Sequence, residues 1–504
     1  MTEQISEIKA QADKDRSSYR QIMKATSIFG GVQVFQIIIG IIRTKFVAVL
    51  LGPAGMGIAG LLDSTTGLIA QLSNLGLRTS AVKDISVAYG SDDQKRTAKI
   101  AAVINRLVWF TGLLGALITL VLAPLLSQLT FGNREYTWAF MWLSVTLLFN
   151  QLSVGKSILL QGTRQIRYLA RAGVIGSLMG LFVTVPFYYF LGIRGIVPGM
   201  ILMSIFGYIV YLYFANKVQI MPVTVSVREI LNEGRNMIQL GFLISLNGLI
   251  TMGVSYAVRI YISRTGGVED VGLFNAGFAM INTYVGLLFS AMGTDYYPRL
   301  SSVASDNERS RNVINQQAEI ALLILSPLIM TFLVFINWAV IMLYSYRFLP
   351  ISDMMLYAAL GMFFKAASWA IAFIFLAQGA NKLFFWSELA TNLYTLALNV
   401  LGYHFLGLTG LGISFLVAYG LYLTQVFWIA RVRYSFRFTS AFYQIFGLHT
   451  TFAVVCLAVV KWIEKPYSYV LGLVLISVSS FYAYKELDKR IDIKSLIVSI
   501  KNRI

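Results

Sequence analysis

Apolar stretches of about twenty residues or more recur along nearly the whole chain, separated by short polar segments, and that spacing suits helices crossing a hydrocarbon core of roughly 30 Å. The pattern predicts fourteen such helices, over 22–42, 56–80, 101–127, 137–160, 169–191, 195–216, 237–262, 271–297, 316–345, 352–377, 384–406, 409–431, 442–462 and 467–484. Backbone groups in lipid must find their hydrogen bonds within a helix or a closed barrel, and continuous apolar runs rather than ten-residue alternation exclude the barrel. The expected fold is an all-α integral membrane protein.

The pattern is also written twice. FLGIRG at 190–195 returns as FLGLTG at 405–410, a shift of 215, Gly57 lines up with Gly272, and Gln161-Gly162 returns as Gln378-Gly379, a shift of 217. The expected organisation is a polar N-terminal segment over 1–21, a six-helix lobe over 22–217 and a second over 218–437, joined by a basic loop holding Pro222, Arg228 and Arg235. Two further helices over 438–484 stand outside the duplication and precede a basic tail over 485–504. They offer a lipid-facing groove, a partner surface or padding. Two matching lobes suggest a pathway between them, as in transporters that rock two halves about a central site. No loop exceeds about twenty residues, which leaves no room for a folded extramembrane domain.

Composition agrees: 57% hydrophobic residues, 13% charged and a mean hydropathy of +0.69 do not belong to a soluble protein. A net charge of +18 would suggest nucleic acid in a soluble chain, but here the charge follows topology. Of 41 Lys and Arg residues, 31 fall at the two termini and the loops on their side, nine on the other side, and Lys365 lies within a helix. The positive-inside rule then places both termini in the cytoplasm and removes the case for a nucleic-acid partner. The polar first 21 residues and the absence of a small-residue cleavage pattern make the first helix an uncleaved anchor. A single cysteine, Cys456, permits no intrachain disulfide and reads as packing.

Charges within the membrane carry the functional signal, because each costs several kcal/mol unless it is paired or wet. Lys365 sits near the middle of its helix, too deep for easy snorkelling, with Glu388 as its nearest acidic candidate, so it is either a lobe-stapling ion pair or a cavity-lining cation. Arg43, Lys45, Arg259 and Arg78 are further candidates for a cationic lumen, each also placed to snorkel to the headgroups. Arg43 and Arg259 stand at nearly matching places, a shift of 216, and a planar guanidinium suits phosphate. Asp63 and Asp295 are candidates for carrying a coupling proton or for pairing with an arginine, and Asn247, Asn275, Asn282 and Asn392 are polar residues at plausible faces. Pro186 and Pro327 are candidate hinges, and Pro298 marks a helix end. An enzyme such as a polymerase, ligase or acyltransferase would need catalytic groups, yet His404 and His449 are the only histidines and lie on different helices. No metal, cofactor or catalytic set is expected.

The runs LLGPAGMGIAGLLDSTTGLIAQLSNLGLRTSAVKDIS at 50–86 and GMFFKAASWAIAFIFLAQGANKLFFWSELA at 361–390, with the repeated FLG turn, resemble the O-antigen and enterobacterial-common-antigen lipid flippases of the polysaccharide transporter family. That family belongs to the multidrug, oligosaccharidyl-lipid and polysaccharide exporter superfamily, and the likeness covers roughly 20–435. The resemblance implies a bacterial inner-membrane protein that moves undecaprenyl-diphosphate-linked oligosaccharide between leaflets by alternating access, driven by a proton or ion gradient. It implies lumen cations at Lys365 and Arg259 and an acidic partner at Glu388. Asp63 departs from it, since relatives tend to place a basic residue near that point. Membrane lipid, a polysaccharide polymerase and a chain-length regulator are the partners such a protein would meet. Fixed cations where water is scarce favour an anionic passenger, so the scheme expected is a diphosphate docked on Arg78, Arg259 and Lys365. The alternative is a drug or other small-molecule exporter on the same fold, in which Asp63, Asp295 or Glu388 would govern transport.

Overall fold

The computed structural model describes the backbone of residues 2–91, 93–221 and 223–491, with side chains over 32–490 of these except at a few positions in 227–244 and 283–287. Among these residues fifteen α-helices follow one another with no strand: α1 Thr2–Ser73, α2 Leu77–Gly90, α3 Gln94–Phe131, α4 Thr137–Gly162, α5 Ile166–Leu191, α6 Ile196–Ala215, α7 Val227–Thr265, α8 Val268–Ala279, α9 Gly286–Ser302, α10 Asn307–Val334, α11 Ile336–Leu343, α12 Ser352–Ala377, α13 Asn381–Tyr434, α14 Ser440–Trp462 and α15 Tyr467–Ile491. Nine runs among the described residues are long and apolar enough to cross a membrane. Three of the nine, Val32–Ser73, Ile166–Ala215 and Asn381–Tyr434, are broken at a glycine into two membrane-length pieces. The 39-residue α7, about 58 Å long at 1.5 Å per residue, and the run from α8 to α9 complete the expected fourteen.

The breaks repeat at one shift. Gly192 (φ 56, ψ −134) and Gly407 (φ 58, ψ −139) share a conformation closed to most L-residues, and Gly52 (φ 68, ψ −172) and Gly267 (φ 89, ψ 177) share another. Both pairs lie 215 residues apart. The turns after α4 and α12 follow suit: Arg164 and Gly379 have positive φ, and Gln165 N–H donates to Leu160 O as Ala380 N–H does to Phe375 O, both at 2.8 Å. The backbone register there is 215, so the Gln-Gly dipeptides match in composition two residues out of structural step. By the same register Arg259 corresponds to Thr44 rather than Arg43, and one residue is about 100° around a helix. Arg43 and Arg259 are therefore not structural equivalents. Pro298 lies inside α9, before its end at Ser302.

By their contacts the described residues form two compact units. One runs to Gly55 and from Ala59 to Tyr256, and the other takes Met56–Ile58 and the chain from Ala257. In the first, α4 packs against α2, α3 and α6, and α5 pairs with α6. Lipid gives helices no hydrophobic reason to associate, so close packing and polar fastening hold them. Gln151 of α4 donates to Asn74 (3.0 Å) and Thr111 (2.9 Å), and Thr65, Thr130 and Tyr256 form a buried hydroxyl cluster.

In the second unit α12 packs on α13, and α10 packs on α12, α14 and α15. The two halves of α13 fold back on each other at Gly407. Ser414 Oγ donates to Leu398 O (2.6 Å), and Gln425 Nε2 to Ser387 Oγ (2.7 Å). The C-terminal pair α14 and α15 is fastened to α10 by polar contacts: fully buried His449 pairs through Nδ1 with Ser326 Oγ (2.6 Å), and Arg490 bonds Glu319 (3.0 Å).

Candidate functional site

Glycines decide where α12 meets the second half of α13. A Cβ on Gly412 would run into the Met354 carbonyl, and one on Gly361 would press on the Phe415 ring and the Leu416 backbone. With both positions bare the helices approach closely, and Lys365, one turn beyond Gly361, comes to lie against Phe415 and Tyr419. Its Nζ stands 5.2 Å from the Tyr419 ring centre and 5.8 Å from that of Phe415. Lys365 is half-buried in the middle of α12, about 18 Å along the axis from Ala377. No ion pair among the described residues includes it, so the expected pairing with Glu388 is not formed at this geometry.

From Lys365 a chain of ring contacts runs in two directions. Toward α8, Phe415 meets Phe278 at 5.7 Å, Phe278 meets Phe274 at 4.5 Å, and the Arg259 guanidinium lies 5.7 Å from the Phe274 ring. Arg259 Nε also donates to Asn275 Oδ1 at 2.8 Å, which fixes the guanidinium plane. The π faces attract both cations. Toward the start of α13, Tyr419 meets Tyr422 at 6.3 Å, and Tyr422 Oη donates to Glu388 Oε1 at 2.7 Å. Lys365, Arg259 and Glu388 are thus brought into one connected constellation of the second unit. Asp295, near the end of α9, is exposed and takes no part in the ring contacts.

Within the first unit, Arg43 is half-buried, with Nη1 3.4 Å from Met203 Sδ of α6. The buried Tyr188 phenol feels the charges of both Arg43 and Asp63, although Asp63 is itself exposed. Lys45 is half-buried, whereas Arg78 is exposed on α2 and acts electrostatically on Tyr211.

The ring residues carry the signal that reading by charge passes over. Phe415, Tyr419 and Tyr422 recur at i, i+4 and i+7, one stripe of one helix, and that spacing is visible in FLVAYGLY. Which charge the stripe would face is not. Among the described residues no cluster of His, Cys, Asp or Glu has metal-binding geometry.

Comparison with known proteins accords with this architecture. The polysaccharide biosynthesis protein family matches residues 46–353. The lipid III flippase of Escherichia coli K12 is 20% identical over 354 residues, 70% of this chain and 84% of that protein, and the lipid III flippase of Shigella flexneri matches to the same extent. Among solved structures, the lipid II flippase MurJ in an inward closed conformation superposes with a TM-score of 0.64 at 13% identity, covering 92% of this chain and 98% of that one. An inward-facing multidrug resistance MATE transporter of the MOP superfamily does so with a TM-score of 0.65 at 16% identity, covering 79% and 94%. The chain belongs to the polysaccharide biosynthesis protein family, a multi-pass membrane protein with the fold of MOP-superfamily transporters.

Proposed function

We propose that this member of the polysaccharide biosynthesis protein family is a flippase that carries an undecaprenyl-diphosphate-linked oligosaccharide, an O-antigen unit or a similar surface-polysaccharide precursor, from the cytoplasmic to the periplasmic leaflet. The observation that carries the reading is the Lys365 ammonium, deep in a helix and held over the rings of Tyr419 and Phe415 rather than against a carboxylate. A cation kept at such depth without a counter-charge is costly, and an anionic passenger would offset that cost on binding. Arg259, with its plane fixed by Asn275, supplies a second phosphate-directed group on the same chain of rings. The polyprenyl tail stays in lipid while the diphosphate docks on Lys365 and Arg259. The similarity to lipid III flippases and the transporter fold both support this.

On the same reading, transport proceeds by alternating access, with Asp63 and Asp295 as the candidates to carry a coupling proton or ion. The clustering of basic residues supports an inner-membrane topology with both termini cytoplasmic, where a polymerase and a chain-length regulator acting outside would receive the product. The test is translocation of a fluorescent undecaprenyl-diphosphate oligosaccharide in proteoliposomes, with a cationic dye as competitor. Lipid movement lost in Lys365→Ala, with no dye transport, is the expected result. Dye export surviving that substitution without lipid movement would instead establish a drug exporter of the MATE kind.

A further inference from the structure

The constellation around Lys365 has two chemically different sides, and a diphosphate accounts for one of them. The side toward α8 is phenylalanine and guanidinium. The side toward the start of α13 is phenol, carboxylate, hydroxyl and amide: the carboxylate repels phosphate, and the Tyr422 and Tyr394 phenols and the Gln425 amide already donate to protein acceptors.

Three phenols gather there. Tyr419 meets Tyr422 ring to ring at 6.3 Å, Tyr422 donates to Glu388, and Tyr394 lies near enough to Tyr419 and Glu388 to feel their charges. Tyr422 donates to Glu388 Oε1, and among the described residues Oε2 has no hydrogen-bond donor. Gln425 binds Ser387 through its amide, Asn392 donates to the Glu388 carbonyl, and Tyr394 donates to Thr391, so the surrounding polar groups are fixed before any ligand arrives. Tyr394, Tyr419 and Glu388 are each half-buried, so none of the three is sealed in the core.

A half-buried carboxylate with a free acceptor, flanked by aromatic rings and set beside a cation, matches a sugar linked to a phosphate. Sugar hydroxyls are donors for the carboxylate, the C–H face of a pyranose packs on a ring, and the linked phosphate reaches the ammonium. We infer that Tyr419, Tyr394 and Glu388 form a subsite for the sugar residue adjoining the diphosphate, so that Lys365 reads the phosphate and the tyrosine–glutamate side reads the first sugar. This rests on the flippase reading and deepens it: the passenger is recognised at its phosphosugar junction.

The test uses the full chain in nanodiscs and two probes: lipid-linked glycan extracted from the source bacterium, and the same undecaprenyl diphosphate after the sugars are removed. Wild type should bind the glycosylated lipid more tightly than the bare one. Glu388→Gln and Tyr394→Ala should each weaken the glycosylated lipid by about tenfold or more, the scale of a lost hydrogen bond to a charged group, and leave the bare lipid nearly unchanged. Tyr394→Phe, which keeps the ring, should restore discrimination, and Lys365→Ala should weaken both lipids. Bare-lipid binding also shows that each variant is folded. Equal weakening of both lipids by Glu388→Gln and Tyr394→Ala, or weakening of neither, overturns the subsite while leaving the flippase reading intact. Wild type that binds neither lipid removes the flippase reading itself.

Discussion

Tyr422 donates a 2.7 Å hydrogen bond to Glu388 across the fold of α13, joining its second half to its first. Lys365, the cation nearest in the expected pairing, stands instead over Tyr419, one helical turn away on the same face. The acid and the base therefore share a tyrosine stripe rather than a bond, and each keeps a side available to a third group.

Removing the Tyr422 hydroxyl should cost stability. Tyr422→Phe deprives a half-buried carboxylate of its donor, a change of about 1–3 kcal/mol. Because the two groups act on each other, Tyr422→Phe and Glu388→Gln together should destabilise less than the sum of the single variants. Thermal unfolding in detergent measures this, and strict additivity would show that the bond contributes nothing.

Lys365 should tolerate arginine better than any neutral or acidic residue. Transport should fall by at least about tenfold in Lys365→Ala, the effect of about 1.4 kcal/mol, and further in Lys365→Glu. Lys365→Arg keeps the charge with a different reach and should retain part of the rate. Wild-type transport by Lys365→Glu in proteoliposomes would remove the cation from the mechanism.

The approach of α12 to α13 depends on a missing side chain. Gly412→Ala drives a methyl into the Met354 carbonyl and should cost about 1–3 kcal/mol through backbone displacement, with transport lost as Lys365 moves off its rings. Gly207→Ala is the control: nothing lies within 4 Å of its added carbon, and alanine favours a helix by about 1 kcal/mol. Equal behaviour of the two variants in unfolding and transport would refute the packing argument.

At the start of α7, pH should loosen a cap. The Ser226 backbone N–H, then the Lys99 ammonium at 2.9 Å and the Ser226 hydroxyl, hold the Glu229 carboxyl down at about 2. A folded-state value below the ordinary carboxylate one means the contribution is present above that ordinary value and is lost as pH falls toward the depressed one. Amide exchange at the first turn of α7 should therefore accelerate, after correction for intrinsic rates, as pH falls from about 5 to about 2. Glu229→Gln should show the faster exchange already at the higher pH. Identical protection in wild type and variant would mean the cap is not formed in solution.

Much of this architecture is legible in the amino-acid order. A run of apolar residues in lipid has no alternative to the helix, since each backbone group must find its partner within the segment. The repeated FLG turn likewise announces a left-handed glycine conformation that returns at Gly192 and Gly407. The depth of Lys365 follows from counting along its helix.

Contact across helices was not legible, because it depends on rotation and approach rather than on depth. One residue of register, about 100° of rotation, separates Arg43 from equivalence with Arg259, and composition at the Gln-Gly dipeptides points to the wrong step. Depth alone made Glu388 the partner of Lys365. The close packing at Gly361 and Gly412 gave Lys365 to the rings of Phe415 and Tyr419, and the reversal at Gly407 gave Glu388 to Tyr422. Order along the chain sets how deep each charge lies, whereas packing sets what it touches, and packing arises from side chains that are far apart in sequence.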